Sequence, residues 1–169
     1  TQSGTLGATA IANIAIGADA GKVLAAGAQY NTLIGHRAGD SITTSDGNTC
    51  LGPWAGQAIT TTTGFNTFLG YQCGYLATGN SNVAIGKQAG RGVLGNDNIA
   101  IGLSSMFGAL NTPSENICLG QQTGYNLDGS WGNIFIGKQV GFNHTTGNAN
   151  IAMGYGQYLS SSNTVNREL

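Results

Sequence analysis

Residues 66–90 read NTFLGYQCGYLATGNSNVAIGKQAG and say nearly the same thing twice. Asn66-Thr-Phe-Leu-Gly70 is followed four residues later by Gly74, and Asn82-Val-Ala-Ile-Gly86 four residues later by Gly90. The unit recurs along most of the chain, starting at Asn13, Asn31, Asn48, Asn66, Asn82, Asn98, Asn116, Asn133 and Asn150 in steps of 16, 17 or 18 residues. Each copy reaches its first glycine four residues after the asparagine, from Gly17 to Gly154. A second glycine follows in all but two copies, where Met106 and Tyr158 replace it.

A period near 17 is too short for repeats built from helix pairs, which need about 33 residues or more. Helix is disfavoured directly too, because each glycine costs roughly 1 kcal/mol relative to alanine in a helix interior. The short core of each unit is rich in Ile, Thr, Val, Leu and Phe and bounded by glycine, which is a strand signature. One unit can hold two or three short strands joined by tight corners, and successive units then stack about 4.8 Å apart as a β-solenoid. The expected fold is therefore all-β, a rod of about nine coils over residues 13–158, with a lead-in at 1–12 and a tail at 159–169. Glycine permits positive φ, so Gly17 and its equivalents turn the corner after the strand. The asparagines are predicted to form a ladder, each amide bonding to the coil above and below. A role as simple turn residues explains them less well, since Asp, Ser or Gly never replaces them.

The strand does not alternate between apolar and polar residues. Its fourth position reads Ile16, Ile34, Leu51, Leu69, Ile85, Ile101, Leu119, Ile136 and Met153. Its third reads Ala15, Leu33, Cys50, Phe68, Ala84, Ala100, Cys118, Phe135 and Ala152. These two positions point to opposite faces. One face fills the thin coil; the other needs a cover, because a long apolar stripe is rarely left in water. We assign the third position to a seam against further copies of the chain, arranged around an axis parallel to the rod.

Repeats of the form Asn-x-x-Ile-Gly-x-x-Ala-Gly resemble those of phage tail fibres and large-virus fibre proteins. They are also similar to the head repeats of bacterial trimeric autotransporter adhesins. The GYQCG and GKQAG versions are closer to the viral set, whereas adhesin heads more often have shorter units with Ser after the Asn. The resemblance covers residues 13 to 158 and implies a parallel homotrimer of left-handed β-rolls.

Composition narrows the functions. Charged residues make up 8% of the chain, against about 25% in ordinary domains. Six basic and seven acidic residues leave a net charge of −1, so neither nucleic acid nor an anionic membrane finds a basic cluster. No apolar run approaches the roughly 20 residues of a membrane span. The chain begins at Thr1 and reads as a piece of a longer protein. Cys50, Cys73 and Cys118 fit neither a disulfide framework nor a zinc pattern and read as buried small hydrophobes.

No catalytic constellation, metal site or cofactor is expected. His36 and His144 lie six coils apart, about 29 Å by strand spacing. Asp40 and Asp46 flank one loop and read as two solvated acids near Arg37 rather than a carboxylate pair for glycan hydrolysis. The exposed corner between the two glycines is the place for recognition. Trp54, Tyr71 and Gln72 on consecutive coils offer an aromatic platform beside an amide, a surface suited to a sugar ring. The competing role for the corner is structural, with its glutamines stacked as a ladder. The loops at 41–47 and 60–64 are a further place for binding.

The sequence thus points to a non-enzymatic structural and adhesive segment of a virion fibre involved in host attachment, located on the virion or at a cell surface. The head of a bacterial surface adhesin is the alternative. The expected partners are further copies of the chain, other fibre or virion proteins, and a host glycan or receptor.

Overall fold

A computed structural model describes residues 11–59, 64–92, 94–109 and 111–156. Most of the lead-in at 1–12, the tail at 159–169, Tyr158 and most of the loop at 60–64 lie outside them. Nine three-residue strands are formed: β1 (Ile14–Ile16), β2 (Thr32–Ile34), β3 (Thr49–Leu51), β4 (Thr67–Leu69), β5 (Val83–Ile85), β6 (Ile99–Ile101), β7 (Ile117–Leu119), β8 (Ile134–Ile136) and β9 (Ile151–Met153). They pair in chain order, every pair parallel, in one nine-stranded sheet. Ile14 faces Thr32, Thr32 faces Thr49, and the register holds to Ile134 facing Ile151. A parallel sheet whose neighbours are also chain neighbours is a β-solenoid, here of about 8 turns with no helix among the described residues. At about 4.8 Å per step the rod is close to 40 Å long.

The coils are joined at their corners as well as through the strands. Gly35 donates its amide to the Ile16 carbonyl of the preceding coil at 2.8 Å, and Arg37 donates to Ala18 at 2.8 Å. Gly39 donates forward to Ala55 at 2.9 Å. Three residues of each of the first eight coils adopt left-handed backbone to make these turns. They are the residue before the asparagine, such as Phe65 (φ 59), the second corner residue, such as Gln72 (φ 52), and the second glycine, such as Gly74 (φ 60). The first glycine has a wider φ, 137° at Gly70, and a Cβ there would sit 2.6 Å from the Gly86 carbonyl oxygen. Only glycine lets the coils approach so closely.

The interior holds one file of strand side chains, and it is the third position. Leu33, Cys50, Phe68, Ala84, Ala100, Cys118 and Phe135 are each fully buried within a single chain, Ala152 is nearly so, and Ala15 packs against them at the end. The assignment of these nine residues to a seam between copies is therefore corrected: they are the core of the coil. The second glycine explains why. It lies directly behind the third-position side chain, so that a Cβ at Gly74 would meet the Phe68 ring and one at Gly141 the Phe135 ring. The second and fourth positions point outward, with Ile14, Ile16, Leu51, Leu69, Ile101 and Met153 all exposed.

Candidate functional site

The asparagines at the head of each strand form a continuous ladder, buried from Asn31 to Asn150. The Asn31 backbone amide and side-chain amide both donate to Asn13 Oδ1, at 2.9 and 3.0 Å. The pattern repeats at each step to Asn150, which donates twice to Asn133 Oδ1. The side-chain amide has a second acceptor on the returning limb, as in Asn82 to the Gly95 carbonyl at 2.7 Å. This ladder pins strand to limb and is closed to ligands by its burial.

The exposed corner between the glycines is built differently. Its second residue is left-handed in every coil, from Asp19 (φ 57) to Gln139 (φ 59), yet only the last copy, Gly156, is glycine. Non-glycine residues in this region cost of order 1 kcal/mol or more. Their retention places a side chain at a position where the backbone alone favours none. Trp54 and Tyr71 are brought together, ring centroids 5.5 Å apart and edge to face. His36 extends the row, 5.0 Å from Trp54 and perpendicular to it. Gln72 turns to the next coil, where Gln88 Nε2 donates to its Oε1 at 3.0 Å, and Gln139 donates likewise to Gln122. The corner is thus both things at once: an aromatic row below and amide pairs above.

Asp40 and Asp46 are engaged separately. Asp40 is buried and accepts from Arg37 Nε at 2.8 Å, from Ser41 Oγ and from Gln57 Nε2. Asp46 Oδ1 accepts the Gln29 backbone amide at 2.7 Å. The three cysteines are free and buried. Burial raises all three thiols above their ordinary range, Cys73 to about 12, which makes them unreactive. Among the described residues, no group of three or more His, Cys, Asp or Glu could hold a metal ion. No described helix is long and apolar enough to cross a membrane.

A second column went unread in the sequence. The residue after the second glycine lines up coil upon coil, and from Tyr75 onward it reads Tyr75, Arg91, Phe107, Tyr125, Phe142. The Arg91 guanidinium carbon lies 5.3 Å from the Tyr75 ring centroid and 5.1 Å from that of Phe107. Phe107 stacks on Tyr125 at 5.1 Å, and Tyr125 on Phe142 at 4.7 Å, with planes within 21°. The signal was available: this position is aromatic in four of the last five described coils. It was hidden because the preceding coils carry Lys22, Asp40 and Gln57 there.

The third surface is the outward face of the sheet. Each strand contributes two side chains to it, eighteen in all, and they are Ile, Leu, Val, Thr and Met without one charge. The chain matches no protein-family model, no curated protein and no solved structure.

Proposed function

We propose that this chain is a structural and adhesive segment of a virion fibre, assembled as a parallel homotrimer and involved in host attachment. The observation that carries the reading is the charge-free outward face of the sheet. It runs the whole rod, its fourth-position side chains including Ile16 at 58%, Leu69 at 41% and Met153 at 62% exposure. Apolar surface of this continuity marks a protein interface. A second copy is the economical cover, since every coil presents the same two columns and parallel copies match rung for rung. A rod that meets its copies along one face closes most simply around an axis parallel to its length. The likeness of the repeats to viral fibre repeats supports the setting. The head of a bacterial trimeric autotransporter adhesin is the alternative, with the same face used in the same way.

Two measurements test this together. Sedimentation should give a trimer for the natural chain and a folded smaller species for Ile101→Asp, because charges facing one another in a dry seam cost several kcal/mol each. A natural chain that sediments as a stable monomer would overturn the assembly. Immunogold labelling should decorate fibres on virions. Gold on a bacterial outer surface would transfer the reading to the adhesin alternative, and gold confined to the cell interior would overturn both.

A further inference from the structure

The net charge of −1 conceals a sorting of charges by side. Among the described residues the cations are Lys22, Arg37, Lys87, Arg91 and Lys138. All five lie on the limb that runs from the first glycine to the residue after the second. Asp19 and Asp40 share that limb, and each is held by a cation there, Lys22 at 3.7 Å and Arg37 at 2.8 Å. The other described acids, Asp46, Asp97, Glu115 and Asp128, all lie on the limb that leads back to the next asparagine. Lys87, Arg91 and Lys138 therefore have no carboxylate partner among the described residues. Two of these three, Lys87 and Arg91, belong to the same coil.

Arg91 is the unusual one. Its guanidinium is clamped between the Tyr75 and Phe107 rings, and its Nε is buried without any hydrogen-bond partner. Asp40, at the equivalent position three coils away, has all of its bonding satisfied within the protein. The column can thus neutralise a charge, and at Arg91 it does not. Rings on both sides of the guanidinium carbon confine it, and with Nε closed to solvent the two terminal amino groups of the partly exposed side chain are the donors left for a planar acceptor.

We propose that Arg91, clamped by Tyr75 and Phe107, anchors a binding site for an acidic saccharide. The sugar's carboxylate bonds to the guanidinium edge, its ring lies against the rims of the aromatic column, and Lys87 adds positive field from the same coil. The carboxylate is favoured over a neutral sugar because it alone satisfies an unpaired fork. The site deepens the attachment part of the proposed function and does not require the trimer.

The test uses the whole chain, labelled with nitrogen-15, and follows the arginine Nε–H signals during titration. The probes are digalacturonate and the α-methyl glycoside of N-acetylneuraminic acid, each beside its methyl ester. One of the two acids should move a single arginine signal that is missing from Arg91→Gln, and should bind at least tenfold more tightly than its ester. Arg91→Lys, which keeps the charge and loses the fork, should bind at least fivefold more weakly, and circular dichroism should show both variants folded. The site is refuted if neither acid moves the signal, if the esters bind as well as the acids, or if Arg91→Gln or Arg91→Lys binds like the natural chain. Acid binding with gold confined to the cell interior would sink the fibre and keep the site; labelled fibres without acid binding would do the reverse.

Discussion

Asn82 makes four hydrogen bonds with one buried side chain. Its Oδ1 accepts from the Asn98 backbone and side-chain amides, each at 3.0 Å, and its Nδ2 donates to Asn66 Oδ1 at 3.1 Å and to the Gly95 carbonyl at 2.7 Å. Alanine there strands several buried polar groups, each costing about 1–3 kcal/mol. Asn82→Ala should therefore lose about 3 kcal/mol or more in urea unfolding, and Asn13→Ala, at the end of the ladder, markedly less. At Ala149 the opposite change helps. Its φ is 56° and it is exposed, so Ala149→Gly should gain up to about 1 kcal/mol, read as a higher unfolding midpoint. A midpoint that falls would show that the unfolded chain's added freedom outweighs the relief. At this scale the sequence was partly legible. The asparagine and first glycine could be read because one chemistry recurs at one position. The left-handed residue before the asparagine could not, since Tyr30, Phe65, Ser81, Asp97 and Glu115 share no property that announces it.

The strand shows what periodicity leaves undecided. Both of its faces are apolar, so alternation could not say which one lies inside, and the choice of the third position as the outer seam was reversed by the coil. The discriminating signal was variation in size. Third-position residues range from Ala to Phe, and several coils offset that size elsewhere in the interior: Phe68 shares a coil with Ala77, Cys50 with Ile59 and Ala100 with Met106, all buried. The fourth position is uniformly Ile, Leu or Met, as suits a surface that meets repeated neighbours. One coil fills its interior with an imidazole. His144 takes the place held elsewhere by Leu24, Ile42, Ile59 or Leu127, packs edge to face on Phe135 at 5.3 Å, and leaves Nδ1 without a partner. Burial lowers its pKa, opposed by the weaker influence of the Gly147 carbonyl. The folded chain thus holds the neutral ring, while the unfolded chain binds a proton near pH 6.5. Stability is fully present above that pH and falls as the pH drops below it toward the folded value, by at most about 1.4 kcal/mol per pH unit from this group. The urea midpoint should fall between pH 7.5 and 5.5 in the natural chain and stay nearly level in His144→Leu. An equal fall in both would assign the loss to other groups.

At the scale of the molecule, every coil bonds only to the coils before and after it. Such a rod tolerates excision in whole units. Removing residues 82–97 joins Ser81 to Asn98, and Ser81 already has the φ of 58° that Asp97 supplied. Phe68 would then meet Ala100 in place of Ala84, and Tyr75 would meet Phe107 in place of Arg91. The shortened chain should fold with eight strands, keep the oligomeric state of the natural chain and measure about 4.8 Å less along its axis by small-angle scattering. An unfolded product would show that the coils depend on more than their neighbours. The all-β stack of coils was legible at this scale because the repeat is strict; that each coil forms a single three-residue strand was not, nor was the sorting of charges, which depends on which limb each residue occupies. The strictness has a limit of its own. From the asparagine to the second glycine position the spacing is the same in every coil, and the differences in step are taken up on the returning side, where seven to nine residues precede the next asparagine. Slack on one side leaves the other graduated like a ruler, so the length of the rod can change only by whole divisions.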